Sequence, residues 1–191
     1  MTASRPCQGE IEAILYNEQD IAAAVARMAA AIAAHYARQP LVLVGVLEGA
    51  SYFTADLARA LSHVPDGPSE ITTDFITVSS YGNLSHSSGN VRLLKDVRAN
   101  LAGRNVVIVE DIVEAGLTLQ YIQSLCTARG ARSLRSCVLL DKPYNRSVDV
   151  TVHYVGLTVP DAFIVGYGLD YQEKYRTLPY LAKLRSRVFS E

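Results

Sequence analysis

Two hydrophobic patterns alternate along this chain. From Ile21 onward, apolar residues recur at helical spacing: Ile21, Val25, Met28, Ala29 and Ile32 share one face. Asn17 stands in front as a cap with Asp20 in the first turn, and Pro40 stops the helix. The next seven residues, LVLVGVL (41–47), are apolar throughout, as in a parallel strand buried on both faces. YFTADLARAL (52–61) reads as a helix and EITTDFITVSSY (70–81) as a strand. VVIVEDIV (106–113) is a second buried strand. LTLQYIQSLCTARG (117–130) is a helix ending at Gly130, a natural C′ residue, and SLRSCVLLD (133–141) returns as a strand. VTVHYVGLTV (150–159) and FIVGYGLD (163–170) predict two more short strands.

Strands alternating with helices predict an α/β fold with a mostly parallel central sheet flanked by helices. At 191 residues and 49% hydrophobic, the chain can bury one sizeable core, and no repeat or linker divides it. The expectation is a single domain over residues 1–191. Composition narrows the function. With 18 basic and 19 acidic residues and a formal net charge of −1, nothing favours nucleic acid or an anionic membrane as partner. Cys7, Cys126 and Cys137 have no CxxC spacing, and an odd, unframed set suits a reducing, cytoplasmic setting. The start, MTASRPCQGE, has no apolar signal segment, and the Ala-rich stretch 21–34 is too short to span a bilayer.

Sites in such folds sit at the carboxyl ends of parallel strands. Three segments leave those ends: GVLEGAS (45–51), EDIVEAGLT (110–118) and LLDKPYNR (139–146). In the second, a small Gly-containing turn (Glu114, Ala115, Gly116) opens a helix at Leu117 and Thr118. Free N–H groups at such a helix start cradle phosphate, and the Thr118 hydroxyl adds a donor. No lysine follows the glycine, so this is not a Walker A loop. Glu110 and Asp111 would repel phosphate unless they hold something else; sugar hydroxyls and a divalent cation are the obvious partners. Phosphate on the turn with hydroxyls on the acids describes a ribose 5-phosphate; solvated strand-end acids are the other reading. GVLEGAS lacks both a dinucleotide fingerprint and a full nucleophile elbow. It reads either as a plain tight turn or as a second anion site built on Leu47, Glu48 and Gly49. Lys142 sits at a strand end. Phe163, Asp170 and Arg176 set an aromatic, a carboxylate and a guanidinium in one short run. Such residues can stack on a planar base, donate to an exocyclic oxygen and pair with phosphate.

These segments together resemble the type I phosphoribosyltransferases, and more closely the hypoxanthine (hypoxanthine-guanine) phosphoribosyltransferases. The resemblance runs from about residue 12 to 185. It is carried, in order, by LVGVLEGASYFTADLARAL, SSYGNLSHSSGNVRLLKD, VVIVEDIVEAGLTL, LLDKP and VPDAFIVGYGLDYQEKYRTLPYL. It implies the type I fold, with a small hood from the N-terminal segment and C-terminal region and a mobile lid at about 80–95, rooted at Ser80 and Tyr81. It also implies a purine salvage enzyme. That enzyme transfers the phosphoribosyl group of phosphoribosyl pyrophosphate to N9 of a 6-oxopurine (hypoxanthine, with guanine as a further acceptor), with Mg²⁺, usually as a homodimer or homotetramer. By position, Glu110 and Asp111 would hold the ribose hydroxyls and 114–119 the 5′-phosphate. Lys142 would meet the purine 6-oxygen and Phe163 the ring face, and the Ile164 backbone would read the base edge. Asp170 would bind Mg²⁺, which Glu110 and Asp111 would also approach, and Arg176 would hold pyrophosphate. The Leu47–Glu48 peptide would be cis.

The chain departs from the family pattern at three places. Glu114 stands where the family has Asp at the general-base position, Ala115 where it has Thr or Ser, and Glu48 where it has a basic residue. Glu114 is expected still to serve as base. Glu48 is expected to point outward. The departures keep open a second reading, a catalytically weak phosphoribosyltransferase-like protein that binds nucleotides or regulates.

Overall fold

A computed structural model describes residues 9–81 and 90–189. In chain order the elements are β1 (Ile11–Tyr16), α1 (Glu18–His35), β2 (Pro40–Leu47), α2 (Ser51–Ser62), β3 (Glu70–Tyr81) and β4 (Asn90–Lys95). Then come β5 (Asn105–Val113), α3 (Leu117–Ala128), β6 (Ser133–Asp141), β7 (Tyr154–Thr158), β8 (Ile164–Val165) and β9 (Leu181–Leu184). Six strands form one sheet in the order β4-β3-β2-β5-β6-β7. It is parallel except where β4 runs against β3. A second, three-stranded sheet, β1-β9-β8, is antiparallel and joins the two ends of the chain. This is the α/β fold with a mostly parallel central sheet flanked by helices that was expected from the sequence.

The apolar runs behave as double-sided strands. Leu41, Leu43, Val107, Val109 and Leu139 pack on one face with α1 and α2, while Val42, Val44, Val106, Ile108 and Val138 pack on the other with α3. Successive side chains leave opposite faces of a strand, so a run without polar breaks is what two covered faces require. The cap at Asn17 forms a complete box: its Oδ1 accepts from Gln19 and Asp20 N–H, and Asp20 accepts from the Asn17 N–H. Gly130 takes a left-handed conformation (φ 76°) just past α3, as expected of a C′ residue. Cys126 and Cys137 are free, buried thiols.

Four readings change. α1 ends at His35, ahead of Pro40, because residues 36–39 turn before Pro40 opens β2. The strand expected over 150–159 is confined to Tyr154–Thr158, where β6 offers an edge. That expected over 163–170 shrinks to Ile164–Val165, since positive φ at Gly166, Tyr167 and Gly168 bends the chain away. Strands β1, β4 and β9 carry no strong periodicity of their own and were not expected. β4 occupies the return limb of the expected lid; residues 82–89 and the Ser80 and Tyr81 side chains lie outside the described residues, as does Cys7.

Candidate active site

Strand β5 delivers the acids while still paired. It stays in register with β6 as far as Val113 opposite Asp141, so Glu110 and Asp111 are strand residues on opposite faces. Asp111 opens onto a cleft of about 600 Å³ shared with Glu114, Lys142, Phe163, Ile164 and Asp170. Glu110 lines a smaller pocket of about 180 Å³ with Ala115, Gly116, Leu117 and Thr118. Ile112 and Glu114 border both, so the cleft and the pocket adjoin.

The electrostatics of the two acids follow from that enclosure. Glu110 is 5% exposed and its Oε2 has no hydrogen-bond partner among the described residues. Burial, and then the adjacent Asp111 charge, raise its carboxyl well above the usual range, with Arg146 opposing. Asp111 is pushed up to about 6, chiefly by lost hydration; the Ile112 N–H at 2.9 Å, its own N–H and the Arg176 charge pull the other way. A buried carboxylate oxygen without a partner is costly and aimed for an incoming donor.

Below the acids the chain turns. Gly116 adopts φ 88°, a left-handed cap that opens α3. A Cβ there would meet Val150 Cγ1 at 2.7 Å and Arg146 Cδ at 3.1 Å, so glycine satisfies both conformation and space. The turn therefore offers backbone N–H groups and the Thr118 hydroxyl to the small pocket, with no hydroxyl from Ala115.

Glu114 and Lys142 are brought together as a side-chain ion pair. Lys142 is buried, at 6% exposure, and its own N–H donates to the Val113 carbonyl at 3.0 Å. Phe163 lines the cleft as expected, but Phe189 stacks on it with centroids 5.0 Å apart, and Tyr171 meets it edge-on at 5.4 Å. Sequence reading missed Phe189; an aromatic three residues from the end carries no spacing signal.

The first loop holds the other side. The Leu47–Glu48 peptide is cis, as the resemblance implied. The Ala50 and Ser51 N–H groups are spent inside the turn on Val46 and Glu48 carbonyls. Gly49 lies hard against Asp111: an added Cβ would fall 1.7 Å from Oδ2. Gly168 presses on Gly49 in turn, its missing Cβ 2.0 Å from the Gly49 carbonyl oxygen. Close approach at these two glycines carries the 163–176 segment onto the site. There Arg176 donates to the Gly168 carbonyl (2.8 Å) and pairs with Asp170 (3.0 Å), Glu173 (3.4 Å) and Glu48 (3.6 Å). Its Nε has no partner among the described residues. Glu48 is exposed as expected, at 67% for its side chain, yet its carboxylate turns toward Arg176 rather than away.

Strand β5 with its two acids, the left-handed turn at the start of α3 and the Arg176 guanidinium beside Asp170 are the features that the resemblance led one to expect. Residues 12–172 match the family model of the phosphoribosyl transferase domain. A hypoxanthine-guanine phosphoribosyltransferase of Bacillus subtilis is 42% identical over 180 residues, covering 94% of this chain and 97% of that protein. Crystal structures of hypoxanthine phosphoribosyltransferases from Staphylococcus aureus (TM-score 0.90, 37% identity, 98% of this chain and 99% of that one) and Trypanosoma cruzi (TM-score 0.87, 42% identity, 95% of each) superpose throughout. The chain belongs to the hypoxanthine-guanine phosphoribosyltransferase family, the enzymes of purine salvage. No helix among the described residues is long and apolar enough to cross a membrane.

Proposed function

We propose that the chain joins hypoxanthine or guanine, through N9, to the phosphoribosyl group of phosphoribosyl pyrophosphate, releasing pyrophosphate and IMP or GMP. The observation that carries this reading is the Glu114–Lys142 pair in the larger cleft. A 6-oxopurine bearing its proton on N7 presents an acceptor (O6) beside a donor (N7–H). Lys142 donates and Glu114 accepts, side by side, which complements that edge. An ammonium has three N–H donors and a carboxylate several lone-pair sites, so the pair can hold each other and the base.

In the reaction the C1′–oxygen bond breaks with its electrons leaving on pyrophosphate, N9 bonds to C1′, and the N7 proton passes to Glu114. The Gly116 turn would hold the 5′-phosphate, with Glu110 and Asp111 on the ribose hydroxyls. Arg176 would exchange its carboxylates for pyrophosphate, beside the backbone of Leu47, Glu48 and Gly49. Ser80 and Tyr81 would root the lid, and Ile164 would offer its backbone to the base edge. Phe163 would face the ring from its open side, since Phe189 covers the other.

Mg²⁺ fits this donor set. Mg²⁺ is commonly held by one or two carboxylates and completed by substrate oxygens and water. Asp170 and Asp111, both near Arg176, would hold it, with Glu110 Oε2 unpaired on the neighbouring face. Bound there, Mg²⁺ would neutralise charge on the leaving pyrophosphate. We place the enzyme in the cytoplasm as a homodimer or homotetramer. The Trypanosoma cruzi structure concerns the part its C-terminal region plays in oligomeric state and activity, and here the same end of the chain supplies β9 and Phe189. The reading as a weakly active binding protein gains no support from a site that keeps Lys142, Asp170 and Arg176 together. An assay with phosphoribosyl pyrophosphate, Mg²⁺ and hypoxanthine, guanine or xanthine tests the proposal. Nucleotide and pyrophosphate should appear with the first two; no product from any base would sink it.

A further inference from the structure

The phosphate turn has lost a side-chain hydroxyl at Ala115, so the directions of its backbone N–H groups matter more. In a trans peptide the C=O and the N–H point opposite ways. Whatever holds the carbonyl of residue 114 therefore aims the N–H of residue 115, and the carbonyl of 115 aims the N–H of 116.

Both carbonyls are held from the same side. The Glu114 carbonyl accepts from Arg146 Nη1 at 3.1 Å. The Ala115 carbonyl accepts from the Ser147 and Val148 N–H groups at 3.0 and 3.3 Å and from Ser147 Oγ at 3.3 Å. The Ala115 and Gly116 N–H groups thus turn away from the 146–148 segment, on a turn that lines the 180 Å³ pocket. The second of these anchors is mostly backbone. The first is a side chain, and it is braced: Arg146 Nη2 donates to Asp141 Oδ1, with both side chains largely buried (19% and 16% exposed). Asp141 is the end of β6, paired with Val113 at the end of β5. The guanidinium therefore ties the turn to the paired ends of β5 and β6, and its charge also favours the ionised form of Glu110.

We infer that Arg146 is a positioning residue for the 5′-phosphate: it fixes the Glu114–Ala115 peptide so that the Ala115 N–H faces the phosphate. This rests on the reading of the turn as the 5′-phosphate site. Arg146 needs no contact with substrate. Its planar fork bridges a carbonyl and a carboxylate at once, which one ammonium does poorly.

Ribose 5-phosphate binding by calorimetry, with steady-state kinetics, tests it on the wild type, Arg146→Met and Arg146→Lys. Arg146→Met is expected to weaken ribose 5-phosphate binding about tenfold or more and to raise the KM for phosphoribosyl pyrophosphate in step. Its kcat and its KM for hypoxanthine should change far less. Arg146→Lys should recover part of the loss. If Arg146→Met binds ribose 5-phosphate as tightly as the wild type, or loses kcat with that KM unchanged, the inference is overturned while the turn's assignment stands. If the wild type itself does not bind ribose 5-phosphate, the assignment of the turn falls, and the inference with it. Should Arg146→Met not fold, Arg146→Lys decides alone: weaker binding supports the role, and unchanged binding overturns it.

Discussion

The two ends of this site, the 114–118 turn and the Arg176 corner, are built on opposite plans. At the 114–118 turn, backbone carbonyls are tied back by Arg146, Ser147 and Val148, so the donors are aimed before any ligand arrives. At the other end, Arg176 is surrounded by Asp170, Glu173 and Glu48 and bonded to the Gly168 carbonyl. The first end is preorganised and loses little on binding. The second is already satisfied by its neighbours, so a pyrophosphate must displace carboxylates there or arrive with cations of its own. On the proposed reading, tight phosphate capture would belong to the turn and the coupling of binding to catalysis to the arginine corner.

Changes at the two ends should differ in kind. The largest effect falls where the turn meets the base. Glu114→Gln keeps the shape and the contact to Lys142 but cannot take the N7 proton, and kcat should drop on the order of 10²–10⁴-fold. Unchanged turnover would remove Glu114 from the base role. Next comes Ala115→Thr, which adds a hydroxyl to the preorganised end. A hydrogen bond to a charged group contributes about 1.5–3 kcal/mol, so the KM for phosphoribosyl pyrophosphate should fall by about tenfold. No change would mean that backbone donors already saturate the phosphate. At the satisfied end, Glu48→Gln removes one exposed partner 3.6 Å from Arg176. Exposed pairs contribute little, so pyrophosphate inhibition should tighten only a few-fold, and less at high salt. A loss of pyrophosphate affinity would mean that Glu48 assists binding.

The smallest change concerns stability. Asp111 has its carboxyl raised to about 6 in the folded chain, above its ordinary value of 3.8. The folded state thus holds the proton more tightly than the unfolded one. That contribution is full below the ordinary value and is lost as pH rises through about 6. In chelator, Asp111→Asn should raise Tm by a few degrees at neutral pH, and the gain should shrink toward mildly acid pH. A gain that persists unchanged into acid would point to a cause other than the charge.

Much of this site could be read from the chain. Glu110, Asp111, Gly116 and Thr118 form one contiguous segment, and a strand running into a glycine turn and a helix is a local pattern. What could not be read was pairwise. That Lys142 reaches Glu114 depends on β6 lying beside β5, a contact across 28 residues. That Arg176 is ringed by acids depends on Gly168 meeting Gly49. Glu48 stays exposed as expected, and only the folded loop brings Arg176 within 3.6 Å of its carboxylate. Arg146 stands in the segment LLDKPYNR with no pattern of its own. Nothing in its neighbourhood along the chain shows that it braces the turn thirty residues earlier.

The sequence by itself determined the alternation of buried strands and helices, the acids at the end of β5 and the left-handed turn after them. Each depends on residues within a few positions of one another, where hydrophobic period, capping and φ preference act directly. Only the tertiary structure decided that the two adjacent acids face different pockets with raised proton affinity, that Glu114 is paired with Lys142, and that Arg176 is charge-satisfied. Those properties depend on desolvation and on charges brought close by strand order, and the amount of water a folded chain removes from a carboxylate is not written in the residues beside it.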